Sequence, residues 1–177
     1  MLRTLALVSA CLCFSVAATA QPRTVEISGG YTFVHDAKND ISLPAGWIAG
    51  GAVTITGWLA AAADVSGSYK AEETFGTALH FRTHAIVGGG RVHARLGRAT
   101  EFAQVLAGVV RGSGTAFGFT DATNAFAVQP GVGLDYPLND RLAARGQLDV
   151  RFIRNQPEGN EAGYEYRFSA AVVYRIR

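Results

Sequence analysis

The sequence predicts an all-β fold, an eight-stranded antiparallel up-and-down barrel spanning a membrane, and three observations carry that expectation. From Tyr164 to Ile176 every even position (Tyr164, Tyr166, Phe168, Ala170, Val172, Tyr174, Ile176) is aromatic or aliphatic, while Glu165, Arg167, Ser169, Ala171, Val173 and Arg175 between them are mostly charged or small. A period of two is that of a strand with two unlike faces. The same pattern recurs upstream as far as residue 25, behind a segment built like an export signal. The connections between patterned segments also alternate between long and short, as they do in barrels with short turns on one side of a membrane and longer loops on the other.

The N-terminal segment has one positive charge at Arg3, an apolar stretch from Leu5 to Ala17, and an A-x-A cleavage site at Ala18-Thr19-Ala20. Residues 1–20 are therefore expected to be a signal peptide, with residues 21–177 forming one barrel domain. The apolar stretch is too short for a transmembrane helix, which needs roughly 20 residues. Val8-Ser9-Ala10-Cys11 has the outline of a lipid-attachment box, but its apolar run of about six residues falls short of a signal core. Both cysteines, Cys11 and Cys13, lie in this segment, so the mature chain has no disulfide framework. Removing it takes away one of 16 basic and none of 14 acidic residues, leaving 15 − 14 = +1. Such a balance offers no electrostatic surface for nucleic acid.

The strands follow in chain order. Val25, Ile27, Gly29, Tyr31 and Phe33 oppose Glu26, Ser28, Gly30 and Thr32; Trp47, Ala49, Gly51, Val53 and Ile55 oppose Ile48, Gly50, Ala52, Thr54 and Thr56. In the third strand Leu59, Ala61, Ala63, Val65 and Tyr69 oppose Asp64, Ser66, Ser68 and Lys70. The fourth, roughly 78–95, begins with Phe81, Ala85 and Val87 against His80, Arg82 and His84, then is expected to change phase at a Gly88-Gly89-Gly90 bulge so that Val92 and Ala94 become the apolar face. The fifth, about 101–112, is apolar on both sides and its facing is ambiguous. Phe126, Val128, Val132, Leu134 and Tyr136 mark the sixth, with Pro130 predicting a bulge or a broken ladder. Leu142, Ala144, Gly146, Leu148, Val150 and Phe152 mark the seventh, joined to the sixth by an Asn139-Asp140 turn.

Longer connections are expected at about 37–46, 71–77, 113–122 and 155–162, and short turns near Trp58, Leu96 to Ala99, and Asn139-Asp140. Both termini then fall on one, periplasmic, side of a bacterial outer membrane. Since lipid supplies no hydrogen-bond partners, a sheet can span it only by closing on itself. Eight strands leave room for side chains alone. The expected lumen network mixes both signs, with Glu26, Asp64, Asp135, Asp149 and Glu165 against Arg82, Arg145, Arg151, Arg167 and Arg175. An ion-selective ring would show one sign. Tyr31, Phe33, Trp47, Tyr69, Tyr136, Tyr164, Tyr166 and Tyr174, together with Phe126, are candidates for the aromatic girdle at the membrane–water interface.

These stretches resemble the eight-stranded outer membrane β-barrel proteins of the OmpA/OmpX-like superfamily. The likeness runs through Val25-Glu26-Ile27-Ser28-Gly29-Gly30-Tyr31-Thr32-Phe33, Trp47-Ile48-Ala49-Gly50-Gly51, Ala63-Asp64-Val65-Ser66-Gly67-Ser68-Tyr69, Phe102-Ala103-Gln104-Val105-Leu106-Ala107-Gly108, Gly131-Val132-Gly133-Leu134-Asp135 and Asp140-Arg141-Leu142-Ala143. It implies the fold and an outer-membrane location, and leaves the activity open among adhesins, stabilisers and members without an assigned role. Such chains usually finish on an aromatic residue that assists assembly, whereas this one ends Tyr174-Arg175-Ile176-Arg177.

Three function classes follow. The first is a structural or surface-binding protein without enzymatic activity or cofactor, contacting outer-membrane lipid and an extracellular or envelope partner through four loops, with Phe117 and Phe119 as contact residues. The second is a lipid-modifying hydrolase, using Ser66 or Ser68 with His80 or His84 and Asp64 or Glu73 as orienting acid. The third is a narrow channel. His80 and His84 share one strand face with Arg82 between them, and a guanidinium there opposes metal binding, so no metal site is expected.

Overall fold

The computed structural model describes residues 24–37, 40–74, 77–116, 119–154 and 162–176. Its strands are β1 (Val25–Asp36), β2 (Ile41–Leu43), β3 (Ala45–Thr54), β4 (Leu59–Thr74), β5 (Thr77–Leu96), β6 (Ala99–Ala116), β7 (Phe119–Pro137), β8 (Leu142–Arg154) and β9 (Ala162–Ile176). Every pairing is antiparallel, and β1 pairs with β9 to close the sheet. Both β2 and β3 pair with β1, so together they make one wall strand interrupted at Pro44. Partner numbers total 78 at Tyr31↔Trp47 and 77 at Val34↔Leu43, a slip of one residue where proline offers no N–H. The barrel therefore has eight walls.

The registers fix its geometry. Level partners run from Val25 through Val53, Ala61, Gly90, Val105 and Pro130. Pro130 stands level with Val150, because Val128↔Phe152 and Gly131↔Asp149 keep one register across the gap between them. The row continues to Tyr166 and returns to β1 at His35, a stagger of 35 − 25 = 10 residues. Eight strands with that stagger tilt by about 40°, so each residue advances about 2.5 Å along the axis and each step to the next strand along a row rises about 3 Å.

Three short turns and both described ends of the chain share one end of the barrel. The turns lie between Thr54 and Leu59, Leu96 and Ala99, and Pro137 and Leu142. Gly97 takes φ 60° in the second, a left-handed conformation that glycine adopts without a steric penalty. In the third, Asn139 Oδ1 accepts from the Arg141 and Leu142 amides at 2.9 and 2.8 Å, an Asx turn closing the hairpin.

At the other end the structure departs from the expected loops. The chain is already paired at 41–43, β4 reaches Thr74 before β5 starts at Thr77, and β6 reaches Ala116 before β7 starts at Phe119. Most of 71–77 and 113–122 is therefore strand, because threonine, alanine and aromatic residues there continue the ladder beyond what spanning requires. The expected 155–162 connection lies almost wholly outside the described residues.

One strand expectation also needs correction, and an open alternative is decided. The β5 ladders to β4 and β6 are unbroken through Gly88-Gly89-Gly90, so there is neither bulge nor change of phase. Ala85 and Val87 are buried in the lumen, and Arg82, His84 and Ile86 face outward. At Pro130 the β7–β8 ladder is interrupted without any slip, a local break and not a bulge. The ambiguous β6 turns Phe102, Gln104, Leu106 and Val110 inward.

Candidate functional site: the filled lumen and the outer belt

Strand alternation delivers polar side chains to the interior from every wall, and their lengths decide what they reach. At the turn end, Arg145 on β8 grips Asp135 on β7 with Nε–Oδ1 at 2.7 Å and Nη2–Oδ2 at 2.8 Å, and its Nη2 also meets Glu26 Oε2 on β1 at 3.1 Å. Arg175 on β9 donates to the same two carboxylates, to Glu26 Oε1 at 2.9 Å and Asp135 Oδ2 at 3.0 Å. Paired guanidinium–carboxylate bonds of this kind are the strong ones. Arg91 on β5 approaches Glu26 Oε2 at 3.7 Å. The Arg91 and Arg145 guanidinium carbons lie 4.4 and 4.8 Å from the centroid of the buried Phe102 ring, within cation–π range.

A second tier lies deeper. Arg167 on β9 crosses the barrel: Nη2 bonds Asp149 Oδ2 at 2.8 Å and Asp64 Oδ2 at 3.2 Å, while Nη1 donates to Ser66 Oγ at 3.4 Å. Gln147 Nε2 also donates to Asp149, at 2.9 Å to Oδ2. Gln104 joins the tiers, accepting from Arg91 Nη2 at 2.8 Å and donating to Asp149 Oδ1 at 3.3 Å. Nearer the hairpin end, Arg151 donates to Glu165 Oε2 at 3.0 Å and to Gln129 Oε1 at 2.9 Å. Arg151 Nη2 and Gln129 Nε2, like Arg91 Nη1 in the first tier, meet no hydrogen-bond acceptor among the described residues. Small apolar residues also face the interior, with Ala52, Ala60, Ala62, Val87 and Leu106 forming an apolar patch on the β3–β6 wall.

The structure turns nine of the ten expected lumen residues inward: Glu26, Asp64, Asp135, Arg145, Asp149, Arg151, Glu165, Arg167 and Arg175. Arg82 is the exception and sits exposed on the outer wall. Arg91, buried and missed in the sequence, takes its place, so five guanidiniums still face five carboxylates. Odd numbering from Ala85 through Val87 and Gly89 to Arg91 was the available signal, hidden by the assumed change of phase.

Among the described side chains, the serine and histidine candidates do not converge. Ser66 and Ser68 are buried in the lumen, whereas His84 faces outward and its Nε2 lies 3.1 Å from the Tyr69 hydroxyl. Gly67, not either serine, stands level with His84. His80 and Glu73 are level with Ala71 and Ala78, and their side chains lie outside the described residues, as do Phe117 and the side chain of Phe119.

The outer wall carries the aromatic candidates. Tyr164 and Tyr174, ten residues apart on β9, are separated by about 25 Å along the axis, the height of an outer-membrane apolar band. Phe33, Trp47, Tyr69, Tyr164 and Tyr166 fall with Phe126 and Phe152 within about 9 Å of height near the hairpin end, and Tyr136 lies level with Tyr174 to within about 2 Å near the turns. Trp47 Nε1 donates to the Tyr69 hydroxyl at 3.2 Å, so these two polar tips in the belt satisfy each other. Tyr31 departs from the expectation. It lies about 12 Å below Tyr164, inside the apolar band, with its hydroxyl donated to the Pro44 carbonyl. Lipid offers that hydroxyl no other partner.

One substitution tests the seating of this interior. A Cβ at Gly133 would fall on the Phe102 ring, while one at Gly146 meets nothing within 4 Å. Gly133→Val should lower unfolding free energy by about 1–3 kcal/mol, a typical cost of overpacking, with Gly146→Ala close to wild type. Urea midpoints in detergent micelles check both.

The barrel has the fold of bacterial outer-membrane proteins. It superposes on the crystal structure of Ail, the attachment invasion locus protein of Yersinia pestis, solved in complex with the heparin analogue sucrose octasulfate, with TM-score 0.65, 12% identity, and 88% of this chain and 100% of Ail covered. Neisserial surface protein A matches with TM-score 0.63 and 12% identity over 90% of this chain and 99% of its own. A major outer membrane protein from Thermus thermophilus matches with TM-score 0.60 and 11% identity over 88% and 100%. No family model and no curated protein matches the chain.

Proposed function

We propose that this chain is a non-conducting outer-membrane barrel without enzymatic activity that presents its β4–β5 and β6–β7 hairpins to a protein partner. The observation that carries the reading is the filled lumen, in which five guanidiniums pair with five carboxylates in successive tiers from the turn end into the interior. A path for ions would have to break several charge-assisted bonds at once. On this reading residues 1–20 are cleaved on export, both termini are periplasmic, and the hairpins, rising about 15 Å above the upper aromatic belt, lie outside the cell.

The hairpin sequences indicate the kind of partner. Residues 71–80 and 113–122 contribute Glu72, Glu73 and Asp121 with Phe75, Phe117 and Phe119. Acidic and aromatic groups suit a basic or apolar protein surface, with the phenylalanines as anchors. They do not suit a polyanion of the kind bound by Ail. Replacing residues 73–78 and 116–120 by short Asn-Gly turns should leave heat-modifiable gel mobility intact and abolish binding to host-cell or envelope extracts. Unchanged binding removes the surface role. In planar bilayers the wild-type barrel should give no stable current, and a large reproducible conductance would establish a channel instead.

A further inference from the structure

We infer that the outer wall carries a binding site for phosphate-bearing lipid headgroups, formed by Arg82, Arg111 and Arg154 just above the upper aromatic belt. All three side chains are exposed on the wall, while Val110 and Ile153, next to Arg111 and Arg154, and Ala85, three residues beyond Arg82, pack inside. Arg111 is level with His84 on β5 and with Asn124 on β7, and Arg82 is level with Tyr69 and Ser113. Arg154 is level with Phe126.

Correcting each position for strand tilt brings Arg82, Arg111, Asn124 and Arg154 to within about 3 Å of one height, on four consecutive strands. That height is within about 5 Å of Tyr69, Tyr164 and Phe126, at the headgroup level of a bilayer spanned by this barrel.

An ordinary interfacial arginine snorkels singly towards water. Here three cluster on one arc, and none makes an ion pair with a described residue. The described outward-facing polar side chains between them are Asn124 and Ser113, which are neutral donors, together with His84. A guanidinium presents paired N–H donors that match two oxygens of a phosphate. Desolvation beside the aromatic belt strengthens such contacts. The ligand is a phosphomonoester or phosphodiester held in the leaflet by its acyl chains, with Phe126 and Phe152 below the arc lining the wall beside those chains.

The test uses the full barrel in phosphatidylcholine vesicles with Trp58→Phe, so that Trp47 in the belt reports alone. Spin-labelled phosphatidic acid should quench Trp47 at lower mole fraction than spin-labelled phosphatidylcholine, each arginine contributing about fivefold to the preference. The R82Q/R111Q/R154Q variant should bring the two lipids to parity, R82K/R111K/R154K should retain most of the preference, and R98Q/R141Q at the turn end should change nothing. Since the three arginines support no described ion pair, the variants should keep heat-modifiable mobility, and the single glutamine variants give the same reading in graded form if the triple does not fold. Equal quenching by both lipids in wild type, or an undiminished preference in the triple glutamine variant, overturns the site. Loss of the preference in millimolar inorganic phosphate would identify a soluble-anion site and overturn the lipid assignment.

Discussion

Arg167→Met should destabilise the barrel by about 3–5 kcal/mol. Arg167 is fully buried and is the partner of both Asp149, at 2.8 Å, and Asp64, at 3.2 Å. Removing one member of a buried ion group leaves its partners charged and unpaired, and that, more than the lost attraction, sets the cost. Asp149 would keep Gln104 and Gln147, at 3.3 and 2.9 Å. Asp64 has no other side-chain partner among the bonds of the described lumen. Adding Asp64→Asn to Arg167→Met should therefore recover more than half of the loss, because an amide is far cheaper to bury than a carboxylate. Urea titrations in phospholipid vesicles, followed by the fluorescence of Trp47 and Trp58, provide the cycle. A loss below about 1 kcal/mol would mean that water reaches this tier and screens it.

Arg145→Met separates network redundancy from simple burial. Arg145 makes three side-chain hydrogen bonds, as Arg167 does, and adds a contact with the Phe102 ring, but Asp135 and Glu26 both keep Arg175, at 3.0 and 2.9 Å, and Glu26 keeps Arg91 nearby. The charges left behind remain paired. Its replacement should cost about 1–3 kcal/mol, the scale of losing hydrogen bonds to charged groups. If Arg145→Met proves worse than Arg167→Met, the availability of a substitute partner does not govern stability here.

How far the sequence revealed this arrangement depended on what each strand had on its two faces. β9 and β8 set aromatic and aliphatic residues against charge, so their facing could be read directly and the structure agrees residue by residue. β5 could not be read that way. Its lumen face carries Ala85 and Val87, which pack with Ala127 and Leu106, and its outer face carries Arg82 and His84 at the level where the membrane gives way to water. Polarity in a membrane barrel varies with depth as well as with face, and alternation alone records only the second. Arg91, deep in the interior, was the residue that fixed the phase. The expected loops failed for a related reason. Turn-forming composition at 71–77 and 113–122 marks where the chain must reverse, but the ladder continues almost to the reversal when the flanking residues tolerate extended backbone, as Thr74, Thr77 and Ala116 do. The serine–histidine grouping needed Ser66 or Ser68 level with a histidine, and a register offset by one residue puts them on opposite faces.

Phe102→Ala should cost about 3 kcal/mol, the lower part of the range for emptying a buried phenylalanine site. The lower part applies because the site opens onto a polar lumen that water can enter, which limits the cavity penalty. Two effects contribute, and Phe102→Leu divides them. Leucine keeps most of the apolar volume in the seat that Gly133 leaves open but lacks the ring quadrupole that attracts the Arg91 and Arg145 guanidiniums, at 4.4 and 4.8 Å. Two such contacts are together expected to contribute about 1–2 kcal/mol, so the leucine variant should fall roughly midway between wild type and alanine. Combining Phe102→Leu with Arg91→Met should be less than additive, since each substitution removes the same contact. Strict additivity would show that the ring merely fills space. Neither phenylalanine variant should conduct in planar bilayers, because the Arg167, Asp149 and Asp64 tier still crosses the lumen above the emptied seat. Only breaking both tiers, as in Phe102→Ala with Arg167→Met, should open a continuous aqueous path.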